Sequence, residues 1–156
     1  MSANGLDGFF ETALEICENT EHPDSDSILV DLNYFLGEIS LDNNDRDNAH
    51  KYAFREYEVQ MRISDNLGTV DERLALAITS RGIAYIDSGD YEAGIADLRK
   101  QREMRETLGS WAPQSRESYL SHAYLKLGRL DECESLLEEC IGIREKLFGK
   151  NDDSLR

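Results

Sequence analysis

Only two prolines, Pro23 and Pro113, and eleven glycines occur in the 156 residues. That is too little of either for a collagenous or low-complexity chain. The three cysteines, Cys17, Cys133 and Cys140, form an odd and widely spaced set. They make no disulfide framework, so a reducing, cytoplasmic setting is expected. Positive charge is scarce as well: 17 basic residues stand against 32 acidic ones, for a formal net charge of -15. With so little cationic surface to displace counterions, nucleic acid and anionic membrane surfaces are argued against as partners. No apolar run reaches the length of a membrane span, and the opening Met-Ser-Ala-Asn-Gly lacks the apolar core of a signal peptide.

Catalytic constellations are missing too. The sequence holds no Gly-x-x-x-x-Gly-Lys-Ser/Thr loop, no Gly-x-Ser-x-Gly elbow and no His-Glu-x-x-His pair. Cys133 and Cys140 lie seven apart on one helical face where small residues pack, which reads as buried thiols. His22 falls in a loop and His50 on a face expected to be exposed, and neither has a Cys or His at ligand spacing. No metal, cofactor or enzymatic activity is expected.

What the chain does have is helical periodicity. Phe10, Ala13, Leu14 and Cys17 recur at spacings of three and four, which places them on one helix face between about 6 and 19. A second pattern, with Ser25 or Ser27 as N-cap, runs through Ile28, Leu32, Phe35, Leu36 and Ile39 to a turn at Asp42-Asn43-Asn44-Asp45. Further helices are predicted over about 45–66, 70–88, 91–108, 113–127 and 130–148. Gly68 closes the first of these, and Pro113 suits the first turn of another, where its missing N–H had no partner anyway. No segment sustains the period-two alternation of a half-buried strand.

The helices repeat. Turn residues Asn44, Gly89 and Gly128 are each preceded, eight, seven and four positions earlier, by Leu36-Gly37-Ser40, Arg81-Gly82-Tyr85 and Leu120-Ser121-Tyr124. Five and nine positions later come Ala49 and Ala53, Gly94 and Leu98, then Cys133 and Leu137. The expected units are residues 25–69, 70–112 and 113–149. A half unit with its linker occupies 1–24, and a linker to a further unit begins at 150–156. The stretch from Asn44 to Gly68 exceeds its counterparts by roughly one helical turn, so a local irregularity is expected near Met61 to Asn66. Such frayed ends read as a fragment of a longer array, or as surfaces that pair in a homodimer.

Leu36-Gly37, Gly82-Ile83-Ala84-Tyr85, Leu120-Ser121-His122-Ala123-Tyr124 and Gly89-Asp90-Tyr91 together resemble the tetratricopeptide repeat family. The long spacing is similar to the version found in kinesin light chains and in many fungal and bacterial proteins. The resemblance covers nearly the whole chain and implies an all-α, right-handed α-solenoid of antiparallel helix pairs. In it, small residues let paired helices approach closely while Tyr85 and Tyr124 fill the gap to the neighbouring unit. Departures from the pattern are Ser40 for the aromatic, Arg81 for leucine, and Gly94 and Cys133 for alanine. Arg81 at a packing position requires paired acceptors, with Glu56, Glu58 or a carbonyl as candidates, or else its head reaches the edge while its methylenes pack.

The family's geometry implies that the first helix of each unit lines a concave groove. Its lining would be Asp31, Tyr34, Glu38, Leu41 and Asp42; Leu76, Thr79, Ile83, Ile86 and Asp87; and Ser115, Ser118, His122, Leu125 and Lys126. The first two units offer an acidic, partly apolar trough suited to a basic or amphipathic peptide, although the same acids also read as members of a solvated acidic surface. Family members that clamp a chaperone's terminal carboxylate use cationic and amide side chains in the groove. Glu38 and Ile83 stand at such places here, so that ligand is disfavoured. The reading is a non-catalytic interaction scaffold. The alternative is a structural, regulatory or self-associating segment of a larger sensor protein. Trp111, in the loop before Pro113, either packs beneath that loop or anchors a partner.

Overall fold

The computed structural model describes residues 3–22, 24–109 and 116–149. Trp111, Pro113, Ser115 and the expected linker at 150–156 lie outside the described residues. The described elements are seven helices: α1 (Ala3–Glu18), α2 (Ser25–Asp42), α3 (Arg46–Leu67), α4 (Glu72–Ser88), α5 (Tyr91–Leu108), α6 (Arg116–Lys126) and α7 (Leu130–Phe148). No strand occurs among the described residues.

Three turns repeat at atomic level. Asn44, Gly89 and Gly128 all adopt positive φ, at 58°, 89° and 69°. After each, the next residue's N–H donates to a carbonyl five positions back: Asp45 to Ser40 at 2.8 Å, Asp90 to Tyr85 at 2.9 Å and Arg129 to Tyr124 at 2.9 Å. This is the Schellman closure, which satisfies carbonyls left open at a helix end and reverses the chain in few residues. Asparagine serves at the first turn because its short polar side chain tolerates the left-handed region.

Aspartate starts α3, α4 and α5, whereas α7 starts at Arg129 without a side-chain cap bond. Asp45, Asp71 and Asp90 accept from the N–H groups of Asn48, Leu74 and Ala93 at 3.2, 2.9 and 3.3 Å. Each bond satisfies an orphan donor of the first helical turn. The start of α2 differs from expectation: its cap position is Asp24, with no side-chain cap bond, and Ser25 and Ser27 both lie inside the helix. The Ser25 hydroxyl donates to the Thr20 carbonyl, so it ties α2 to the preceding loop instead of capping.

Successive helices pack against one another in chain order, as hairpins α2–α3, α4–α5 and α6–α7 joined by α3–α4 and α5–α6 contacts. The α4–α5 approach is the tightest of the helix contacts involving glycine. A Cβ on Gly94 would meet Ile86 Cγ1 at 2.4 Å and the Gly82 carbonyl at 2.8 Å, and one on Gly82 would meet Asp97 Cβ at 3.0 Å. Glycine at 94, where the family pattern has alanine, is therefore demanded by volume. Helix α3 runs to 22 residues against 18 for α5, and just before the added turn Arg62 pairs with Asp26 of α2. Between units, the Phe54 and Tyr85 rings meet edge to face at 4.9 Å, and Arg99 Nε donates to the Tyr124 hydroxyl at 2.9 Å.

The apolar core is divided. Leu14, Leu29, Leu32, Leu36 and Tyr52 form one cluster on α1 to α3. A second joins Ile86, Ile95, Leu98, Leu120, Tyr124, Cys133 and their neighbours on α4 to α7. Between them, α3 buries Glu56, Gln60 and Ser64 at four-residue spacing, in a stripe continuous with Ala49 and Ala53. Arg81 finds neither Glu56 nor Glu58. Its guanidinium forks onto Asp97 of α5 through two bonds of 2.7 Å and lies 3.4 Å from the centre of the Tyr57 ring. Glu56 and Glu58 are on α3, whereas the carboxylate that Arg81 takes comes from α5.

A concave cleft between the first two units

Helices α2, α3 and α4 enclose a half-open cleft of ≈ 200 Å³. Its apolar walls are Leu41 from α2, Ala49 and Ala53 from α3, and Leu76 and Ile83 from α4, with Tyr34, Glu38 and Asp87 beside them. Asn33, His50, Glu56, Thr79 and Ser80 supply its polar groups. A second recess next to it shares Tyr34, Glu56 and Leu76 and adds Asp31 and Arg73.

The structure brings together Tyr34, Glu38, Thr79, Ile83 and Asp87 of the expected groove set. Thr79 is only 3% exposed, and its hydroxyl donates to the Ala75 carbonyl at 2.9 Å, so it contributes shape more than a free polar group. Asp31 sits at the neighbouring recess with its carboxylate already paired to Arg73. Asp42 is exposed at the end of α2 and is not among the cleft residues. Ile86 departs from the expectation: at 3% exposure it is a core residue of the second cluster, pressed against the place where Gly94 lacks a side chain. In the third unit His122 and Lys126 are exposed but far along the stack from this cleft. The His122 ring meets Tyr91 edge to face at 6.2 Å.

Four polar cleft residues were not read from the sequence as groove residues: Asn33, His50, Glu56 and Ser80. His50 was expected on an exposed face. It is half-buried, and its Nε2 is buried without a partner among the described residues. The signal was present in α3, where His50 follows Ala49 and Glu56 continues the small-residue stripe.

Glu56 dominates the electrostatics. At 2% exposure, burial pushes its carboxyl up to about 7, against a lowering by the Ser80 hydroxyl; Glu38 raises it further, Arg73 lowers it and Asp31 raises it. Asn33, also 2% exposed, donates its amide to the Leu29 carbonyl at 2.7 Å. A carbonyl needs a donor, so this bond fixes the amide orientation and leaves Oδ1 as an acceptor without a partner. Arginines of the framework are largely committed elsewhere. Arg55 pairs with Glu18, Arg62 with Asp26, Arg73 with Asp31, Arg81 with Asp97, and Arg129 with Glu92 and Glu132. Glu38, Asp42 and Asp87 enter no ion pair among the described residues.

Hairpins with identical closures, stacked in chain order around a concave cleft, define an α-solenoid of helical repeats. The tetratricopeptide repeat family profile matches residues 118–154. Two crystal structures of a Podosopora anserina protein, described as a kinesin light chain with nearly identical TPR-like repeats, superpose with TM-scores of 0.73 and 0.72. Identities are 18% and 19%, over 98% of this chain and 72% of theirs. No curated protein sequence matches the chain. Residues 118–154 are thus similar to a tetratricopeptide repeat, and the fold as a whole is that of TPR-like repeats of the kinesin-light-chain type. Among the described residues no helix is long and apolar enough to cross a membrane.

Proposed function

We propose that the chain is a non-catalytic protein–protein interaction module whose α2–α3–α4 cleft takes a basic or amphipathic segment of a partner. The carrying observation is the cleft itself: apolar walls at Leu41, Leu76 and Ile83 beside Glu38 and Asp87, two acids without an ion-pair partner among the described residues. Apolar side chains of the partner would lose water against the walls while its cations answer the rim charges. The TPR-like fold supports the reading, since such repeats generally serve protein–protein interaction. Selection from a displayed peptide library, followed by calorimetry, tests it. Selected peptides should be cationic and should weaken with Glu38→Lys and Asp87→Lys. Binders indifferent to both charge reversals would overturn the groove reading.

A second reading is pairing of copies through the outer helices. It is favoured by exposed Phe9 and Ile16 on α1 and by exposed Leu137 and Ile141 on α7. Sedimentation of the chain over a concentration series should then show a dimer that Phe9→Ser with Ile16→Ser abolishes, and a strict monomer would count against it.

A further inference from the structure

The floor of the cleft holds more than an acidic patch needs. Its polar groups converge as acceptors: the Glu56 carboxyl, held by a hydrogen bond with Ser80, and the Asn33 Oδ1 that has no partner. Both side chains are 2% exposed, and both line the open cavity. An acceptor buried without a donor is costly, by more than a typical hydrogen bond returns. Leaving the Asn33 acceptor unmet beside a carboxyl that has a single hydroxyl partner, both facing one cavity, is therefore the mark of a place for a donor-rich guest.

The guest's charge follows from the surroundings. Glu38 of α2 and Asp87 of α4 stand at the cavity and raise its negative potential. Arg73 of α4, the cation on the adjacent recess, is held by Asp31 of α2 and hydrogen-bonded by its other arm to Ser27 at 3.3 Å. It is turned to the rim instead of filling the floor. His50 of α3 adds a buried, partnerless Nε2 on the same wall. An ammonium group presents its donors at a single point, whereas these acceptors belong to different helices. A guanidinium presents five donors across a planar fork and stacks on aromatic rings such as Tyr34 at the wall.

We infer that the α2–α3–α4 cleft is an anchor pocket for one arginine side chain of the partner, with Glu56 as its buried counter-ion and Asn33 Oδ1 as a second acceptor. This rests on the groove reading above and assigns it a specific first contact. The anchor accounts for Glu56 on a helix face whose neighbouring positions, Ala49, Ala53, Gln60 and Ser64, carry no charge. A guanidinium beside Glu56 favours its ionised form, so a proton leaves the carboxyl as the guest enters. The groups that modulate this exchange are Glu38 and Asp31 on α2, His50 on α3, and Arg73, Ser80 and Asp87 on α4.

N-acetylarginine amide is the probe, titrated at millimolar concentrations into the full chain and followed by NMR shifts of the Asn33 and Glu56 side chains. The neutral isostere N-acetylcitrulline amide is the control. Arginine amide should bind at least about tenfold more tightly than the citrulline amide, as expected for a buried charge-assisted pair. Glu56→Gln, which keeps shape and removes charge, should abolish that preference, whereas Asp42→Asn at an exposed site outside the cleft should leave it unchanged. Calorimetry near pH 7 in buffers of different ionisation enthalpy should show proton release that is absent in Glu56→Gln, a signature that a merely structural Glu56 would not give. Equal binding of the arginine and citrulline amides, or full retention of the preference in Glu56→Gln, overturns the anchor. Selected peptides that respond to Glu38→Lys but not to Glu56→Gln would likewise overturn the anchor while the groove stands. Arginine amide bound through Glu56, with library peptides indifferent to the rim reversals, would support the anchor and reject the groove.

Discussion

Arg81 of α4 and Asp97 of α5 meet in a two-pronged pair, both nitrogen–oxygen distances 2.7 Å, roofed by the Tyr57 ring of α3. Three consecutive helices thus share one largely buried charge contact. Its geometry is the fork-to-carboxylate match that lysine cannot make.

Removing one member leaves the other charge stranded. Arg81→Ala or Asp97→Ala should each destabilise the chain by about 3–5 kcal/mol, while the apolar double replacement Arg81→Met with Asp97→Leu should recover most of the loss. Urea denaturation of the three variants measures this. A double variant no better than the singles would show that the pair itself, and not the unpaired charge, sets stability.

Glycine has opposite values at two positions of the same helix pattern. Gly94→Ala should cost about 1–3 kcal/mol, because the new methyl would meet Ile86 and the Gly82 carbonyl well inside contact distance. At Gly37 the nearest atom to an added Cβ is Tyr52 Cβ at 3.7 Å. There Gly37→Ala should stabilise by about 0.5–1 kcal/mol, the gain from restricting the unfolded helix residue. Thermal melts of the two variants should shift in opposite directions.

Glu56 makes stability depend on pH. Its folded value of about 7 lies above the value of about 4.3 for a free glutamate, so the native state holds the proton more tightly. The resulting stability is full below the unfolded value. It declines as pH rises, and is lost above about 7, for a total of about 3 kcal/mol. Glu56→Gln should flatten that decline and be the more stable protein at pH 8. Asp26 and Glu132 act in another window, because bonds from Arg62 and Arg129 lower their carboxyls; their contribution goes only as pH falls through the acidic range. Chemical denaturation across pH 2 to 8 separates the two behaviours.

The edge-to-face contact of Phe54 with Tyr85 links the first unit to the second. A double-mutant cycle with Phe54→Leu and Tyr85→Leu should return a coupling of about 0.5–1.5 kcal/mol. No coupling would mean that the two rings merely occupy adjacent space.

Much of this architecture was legible from periodicity. Asn44, Gly89 and Gly128 announced three turns, and the boundaries of α5 and α7 follow directly from the apolar spacing and the glycine stops. Helix starts were harder: Ser25 and Ser27 both look like caps of α2, yet Asp24 holds the cap position and the Ser25 hydroxyl turns toward Thr20. The register implied by the family resemblance puts Tyr34, Glu38, Ile83 and Asp87 on the first-helix face that lines the cleft. It failed at Ile86, where one helix position separates the concave surface from the α4–α5 contact and the missing Cβ of Gly94 draws the side chain inward. The cleft floor was illegible for a different reason. Glu56 and His50 sit on the second helix of the unit, and a charged residue on an otherwise small-residue face looks solvent-exposed until the neighbouring helix is in place.

The division of the apolar core has a consequence for how the protein comes apart. One cluster belongs to α1 to α3 and the other to α4 to α7, with Glu56, Gln60 and Ser64 buried on the helix between. Polar groups hold that part of the seam less strongly than packed hydrocarbon would, so the two halves should open as separate cooperative units. Amide exchange should resolve α2–α3 and α4–α5 into two protection classes. A guest seated at Glu56 touches α2, α3 and α4 at once, and so spans the seam. Occupancy would merge the two openings into one, and the bound protein would unfold as a single body.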